Sequence, residues 1–290
     1  MIDYMRTKMN VILPEKEKIS KRIITIYIVA LIICILAIIV VVGVQILGND
    51  VINNMFGINK IVKRTEQEEI ALKANFENIF DNEFNDDENY QIKKIKENEK
   101  IVYTFYNMEQ KSDIYEVNVN LPYVNIQNDD VKKFNKEIEN TFLQKSEEIL
   151  KSTDKNYIYT VKYKAVIENN ILSIIIYSNL KQDLSAQRVI VQTFNFNLED
   201  NRVLSLEDVL NNYGLDRSEV QNKISNDIYA EQKKSDDLRN LGYNVFSRDI
   251  KSEIYNVHNI KEYFIYNNNI YIIFAYGNDN ITSEKDIVII

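Results

Sequence analysis

The sequence predicts an α+β fold, an antiparallel sheet with packed helices, preceded by one transmembrane helix. Three observations carry this prediction. Segments with apolar residues at every second position recur between residues 115 and 198 and again towards the end of the chain, which is the period of a half-buried strand. Two segments, starting near residues 128 and 216, instead carry apolar residues three and four apart, the period of a helix lying on a core. Residues 23–47 contain no charged side chain, and that stretch exceeds the roughly 20 residues needed to cross a hydrocarbon core of about 30 Å.

In chain order, a tail (residues 1–22) places Lys16, Lys18, Lys21 and Arg22 just ahead of the uncharged run, and no cation follows the run until Lys60. The positive-inside bias makes the tail cytoplasmic, residues 23–47 a single span and residues 48–290 exterior. Secretory leaders have an apolar core of only about 7–15 residues, so this longer run is read as a retained anchor. The only cysteine, Cys34, falls inside the run, leaving the exterior part without a disulfide. Small secreted animal domains commonly depend on disulfides. With six glycines, two prolines and abundant Ile, Lys, Asn and Tyr, the composition fits an AT-rich bacterial genome and a Gram-positive cell surface.

Residues 48–100 read as a stalk and a membrane-proximal helix, the latter from the stripe Leu72, Phe76, Ile79, Phe80 and Phe84. Residues 101–290 form the exterior α+β domain, two merged modules at about 101–200 and 201–290. The acidic stretch 85–89 lacks the glycine turn and distal glutamate of a calcium loop and reads as solvated surface. Tyr115, Val117, Val119, Leu121 and Tyr123 alternate with polar positions as a strand, which Pro122 should end or confine to an edge. Asn128, Asp129 and Asp130 supply capping oxygens for a helix with the stripe Val131, Phe134, Ile138, Phe142 and Ile149.

A meander follows. Tyr157, Tyr159, Val161, Tyr163, Ala165 and Ile167 alternate as one strand, residues 171–177 form the next and residues 188–198 the third. Asn169 and Asn170 tolerate the left-handed backbone of a tight turn, which replaces the missing glycines. Residues 205–208 open a helix, and residues 216–219 have the spacing of a capping box ahead of Val220, Ile224, Ile228 and Leu238. Residues 262–266, 270–276 and 286–290 close the sheet, with a turn at 267–269. The alternating tyrosines are read as core residues with rim hydroxyls rather than as a binding platform.

The chain has 35 cations and 43 anions, of which the tail holds six and three, so the exterior part has 29 against 40, a net charge of −11. Phosphate backbones are poor partners for such a surface, and nucleic acid is excluded on that ground. No catalytic residue is assigned: the one histidine, His258, has no recognisable nucleophile beside it, and the pairs Glu147–Glu148 and Asp236–Asp237 lie on predicted helices as solvated charge. Metal and cofactor sites are likewise unassigned, since one His and one Cys cannot complete a zinc set and no glycine-rich phosphate loop is present.

From Val117 to the C-terminus the order of segments resembles the paired domains of unknown function in the exterior part of lysozyme-sensing anti-sigma factors and ahead of the catalytic domain of some peptidoglycan deacetylases. The resemblance rests on residues 119–123 with the Val131 helix, on residues 169–173 and on residues 194–200. It continues through Val203, Leu204, Leu206, Asp208 and Leu210, and through Phe264, Phe274, Tyr276 and residues 287–289 at the end of the chain. Members of that family often carry a small-residue, histidine-containing loop between the second and third meander strands. Here residues 179–187 read Asn-Leu-Lys-Gln-Asp-Leu-Ser-Ala-Gln, and the tail is shorter than a sigma-binding domain.

The function expected is that of a non-catalytic, membrane-anchored exterior binding or sensing domain at a bacterial cell envelope. Its partners would be the membrane and a cationic envelope protein or a cell-wall component. Lys181, Asp183, Gln187 and Arg188 are the candidate partner contacts. The alternatives are a cell-wall glycan hydrolase or deacetylase using carboxylates that only the fold brings together, or a structural subunit whose 72–84 stripe is covered by another chain.

Overall fold

The computed structural model describes residues 26, 28–31, 61, 64–80, 84, 90–153 and 156–290. The chain divides into two units, Met1–Gly57 and Ile58–Ile290. In the first, Ile26 and residues 28–31 are helical and exposed. The rest of the 23–47 run, and the cations Lys16, Lys18, Lys21 and Arg22, lie outside the described residues, as does the 85–89 stretch. Among the described residues no helix is long and apolar enough to cross a membrane.

The second unit stacks two sheets between helices. Strands β1 (Val102–Lys111), β2 (Tyr115–Val124), β3 (Tyr157–Glu168), β4 (Ile171–Gln182), β5 (Arg188–Asn197) and β6 (Arg202–Val203) form one sheet in sequence order. Strands β7 (Tyr263–Tyr266), β8 (Asn269–Ala275) and β9 (Lys285–Ile289) form a second. The expected purely antiparallel sheet is corrected here, because β2 and β3 run parallel from Tyr115↔Tyr157 to Val119↔Val161. A tight turn can only reverse the chain, whereas a helical crossover returns it in the same direction. The helices α2 (Asp129–Ile138) and α3 (Gln144–Leu150), joined by a π-turn at Glu139–Leu143, are that crossover.

The capping oxygen of Asn128 accepts from the amides of Asp130 (2.8 Å) and Val131 (3.3 Å), and the whole predicted stripe from Val131 to Ile149 is buried. It packs against Leu172, Ile174 and Ile176 of β4. Ile175 and Tyr177 point to the opposite face and meet Phe264, Tyr271, Ile273, Ile287 and Ile289 of the second sheet. Period two thus places both faces of β4 in a core, and each such aliphatic contributes about 1.5–3 kcal/mol of burial. The far face of the second sheet, with Ile265, Ile272 and Val288, receives Val209 and Leu210 of α4 (Leu206–Asn212) and Val220, Ile224 and Ile228 of α5 (Arg217–Asn240). Leu238, expected on the buried stripe, is 44% exposed. At about 1.5 Å per residue, a helix of 24 residues outruns the three strands beneath it.

Asn169 and Asn170 have φ of 51° and 62°, and Asn267 and Asn268 have 51° and 57°, so two asparagine pairs make the hairpin turns. Pro122 sits within β2, an interior strand, not at an edge as expected. The β3 pairing stops at Val119, however, and opposite Pro122 the β1 register slips between Thr104 and Tyr106. The missing amide therefore falls where the ladder is already interrupted. The tyrosines are core residues: Tyr163 shares a 2.6 Å hydrogen bond with Thr104, and Tyr263 donates to the Leu204 carbonyl at 2.7 Å.

Segment 64–80 is a strap over both sheets. Thr65 and Glu68 form a capping box at the start of α1 (Glu66–Asn75). Fully buried Phe76 packs 6.4 Å from Tyr177 and 6.0 Å from Tyr271. Next to it, the Glu77 carboxylate accepts from Lys285 at 2.6 Å and from Tyr177 at 3.0 Å. The 72–84 stripe is covered by the chain's own sheets, with Leu72, Ile79 and Phe80 packed around Phe76.

Candidate functional site

The site grows from the free edge of β5. That strand pairs with β4 along its whole length, but with β6 only at Phe196↔Val203 and Asn197↔Arg202. An uncovered edge presents a row of unpaired amides. Here three successive outward amides are met by three different groups. Val189 N donates to the Thr282 carbonyl (3.2 Å), Val191 N to Asn278 Oδ1 (3.0 Å) and Thr193 N to Glu262 Oε2 (2.7 Å). Asn278 returns a bond from Nδ2 to the Val191 carbonyl at 2.8 Å. Arg188 Nε donates to the Gly277 carbonyl at 2.8 Å and fixes the same turn.

Between the 276–280 turn and the segment before β7 lies a cleft of about 430 Å³, lined by Ile254, Ile260, Lys261, Glu262, Ile273, Phe274, Ala275 and Asp279 among others. Its lining is mixed, with Asn259, Asn278 and Asn280 beside the apolar side chains. Glu262 Oε2 accepts from the Thr193 hydroxyl at 3.0 Å as well as from the Thr193 amide, while Oε1 has no hydrogen bond or ion pair among the described residues. Burial pushes this carboxyl up to about 7, against the Thr193 hydrogen bonds and the Lys261 charge that pull it down, and Glu137 adds to the rise. Such a group changes charge near neutral pH, so it can act as a counter-ion above that point and a hydrogen-bond donor below it.

A second polar group lies in the core behind β9. Arg248 makes a two-pronged pair with Asp286, at 2.5 Å from Nε and 2.7 Å from Nη2, and donates to Ser235 Oγ at 2.8 Å. Tyr276 donates to Asp286 Oδ2 at 2.6 Å and shares a 2.7 Å bond with Tyr255. Burial works against the Arg248 charge, but the Asp286 hydrogen bond and charge more than offset it, and the guanidinium is held above its ordinary range. Burial and the Asp286 charge also push the Tyr276 hydroxyl well up. Every member is partnered, so this network orders the core and offers nothing to a ligand.

The four residues anticipated as contacts do not converge. Lys181 and Asp183 line a hollow of about 280 Å³ at the end of the first sheet, together with Lys111, Glu116 and Asn156. Asp183 has φ of 48° and accepts from Asn156 N at 2.8 Å, which makes it a turn residue. Gln187 is exposed, and Arg188 reaches away towards the Gly277 and Asn278 carbonyls. His258 is a surface residue paired with Glu207 at 2.8 Å. Glu147, Glu148, Asp236 and Asp237 are exposed. Among the described residues no three His, Cys, Asp or Glu side chains are placed to hold a metal. Glu262 was missed because the sequence shows it only as a strand start; the available signal was an acid wedged between Ile260 and residues 263–265.

Fold and cleft together define an α+β domain with a ligand-sized cleft that holds Glu262 and, at its rim, Asp279. No family model matches the chain, and no curated protein matches it. Solved structures similar to it include two DUF3298 family proteins. One is a member of the DUF3298 family from Bacteroides fragilis, 11% identical over 65% of this chain and 89% of that one, with a TM-score of 0.37. The other is a DUF3298 family protein from Pseudomonas aeruginosa, 12% identical over 64% and 85% of the two chains, also with a TM-score of 0.37.

Proposed function

We propose that this protein is a single-pass, membrane-anchored binding domain at the outer face of a bacterial cell envelope, that it is not an enzyme, and that its partner is a cationic envelope protein. The observation that carries the reading is the Glu262 cleft: a ligand-sized site, partly walled by Ile260, Ile273 and Ala275, with one carboxylate oxygen left without a partner among the described residues, on a chain of net charge −8. The uncharged 23–47 run behind four cations supports the anchor and its orientation, and the motifs around Val119, Asn169 and Leu206 support a relation to the lysozyme-sensing and deacetylase-linked domains. Calorimetry of the full chain with lysozyme at low and physiological salt tests the partner. Heat retained at physiological salt supports it, and no heat at either salt removes it. Protease added to wall-stripped intact cells tests the topology: residues 58–290 are digested and the tail is spared.

A cell-wall glycan hydrolase is the second reading, favoured by one observation. Glu262 holds its proton near neutral pH as a general acid must. Such enzymes use a second carboxylate across the bond being cut, and among the described residues the other acid lining this cleft is exposed Asp279. Wall-glycan clearing that is lost in Glu262→Gln would establish this reading in place of the first.

A further inference from the structure

We infer that the Glu262 cleft takes one ammonium or guanidinium head on an aliphatic stem, the chemistry of a lysine or arginine side chain, with Glu262 as its counter-ion. This deepens the proposed function and rests on it. The two bonds from Thr193 fix Oε2 and thereby the direction of Oε1, which is left for a ligand. A charged donor on such an oxygen makes a stronger bond than a neutral one. Ile260, Ile273 and Ala275 offer apolar wall to a methylene stem, the arrangement by which long basic side chains bury their carbons while keeping the head on a charge.

The surrounding charges agree with a cation. Exposed Asp279 stands at the rim, and Glu137 of α2, bonded by Gln192 Nε2 at 3.3 Å, adds negative potential from behind β5. Arg188 is committed to the Gly277 and Asn278 carbonyls. Lys261, the one cation lining the cleft among the described residues, is exposed, where solvent and salt screen its repulsion.

The test uses the full chain with n-pentylammonium as probe, n-pentanol as its neutral isostere, and a short peptide carrying one lysine, or norleucine in its place. The expected result is binding of n-pentylammonium at about pH 8.5 and at least about tenfold weaker binding of n-pentanol. Below pH 7 the amine weakens towards about tenfold per unit, since the proton competes for the same carboxylate. Glu262→Gln keeps an acceptor for the Thr193 amide and should lose both the amine affinity and its pH dependence. Equal binding of amine and alcohol, a flat pH profile in the unmutated chain, or unchanged amine binding in Glu262→Gln each overturns the inference. Preference for the lysine peptide over its norleucine twin assigns the head to a protein side chain, and amine binding without that preference assigns it to a free small amine. If lysozyme binds the unmutated chain and Glu262→Gln equally, the inference fails and the proposed partner stands. If n-pentylammonium binds as stated and no cationic protein does, the ligand chemistry stands and the partner falls.

Discussion

Gly277 passes so close to Val189 that a Cβ built on it would lie 1.8 Å from the Val189 carbonyl oxygen and 2.7 Å from that of Thr282. No side chain fits between the turn and the strand edge it covers. Gly277→Ala must push the 276–280 turn off β5, stretching the Arg188 and Asn278 bonds. Overpacking of this kind costs about 1–3 kcal/mol, and urea unfolding should show a loss in the upper part of that range together with weaker amine binding. Gly242→Ala is the control: with φ of 92° and nothing within 4 Å, it carries backbone strain of about 1–2 kcal/mol and leaves the cleft unchanged.

Removing one partner of the Arg248–Asp286 pair leaves a buried charge alone. Both side chains are almost inaccessible, at 6% and 5%, and breaking such a pair costs about 3–5 kcal/mol. Asp286→Asn and Arg248→Met should each lower the unfolding free energy by that order, while the double variant recovers part of the loss. Additive losses in the double-mutant cycle would show that the two groups are not coupled.

Phe76→Ala tests the strap. Deleting a fully buried ring costs about 3–5 kcal/mol when the site cannot collapse, and here the cavity opens where the two sheets meet beside Tyr177 and Tyr271. Hydrogen exchange should rise in residues 66–78 and in β9 together, because Lys285 is tied to the same strap through Glu77. A rise confined to the strap alone would mean that it lies on the sheets without bracing them.

The local half of this architecture was legible in the sequence. Asn169 and Asn170 announced their turn, residues 205–208 their helix start, and Val131 to Ile149 their buried stripe, since each signal is complete within a few residues; the capping box forms at Ser205 and Asp208, whereas at 216–219, where it was expected, Asp216 accepts from the Glu219 amide with no return bond among the described residues. β1 was not legible, because its register slip at Phe105 breaks the alternation on which a strand reading depends. The direction of β3 was missed for a related reason: strand periodicity says which face is buried but not which way the neighbour runs. The site was hidden by distance, since Glu262 gains its meaning from Thr193, 69 positions earlier, and Asp286 from Arg248, 38 positions earlier.

Burial of the Glu262 carboxyl, only partly offset by its Thr193 bonds, makes the fold itself sensitive to pH, in the direction opposite to most carboxylates. The folded carboxyl is raised from 4.5 to about 7, so between those values the folded chain binds a proton that the unfolded chain releases. Stability then falls as pH rises through that window, by up to about 1.4 kcal/mol per unit, and levels off above pH 7. The charged form persists at higher pH because the Thr193 amide and hydroxyl still bond Oε2. Glu262→Gln has no proton to exchange, so its unfolding midpoint should lose this downward slope and exceed that of the unmutated chain at about pH 8. A bound ammonium head should have the same effect on the unmutated chain, since it stabilises the ionised carboxylate that burial disfavours. Parallel midpoint curves for the two chains from about pH 4.5 to pH 8 would show that Glu262 titrates as an ordinary surface acid, and the cleft would then have no proton-controlled counter-ion.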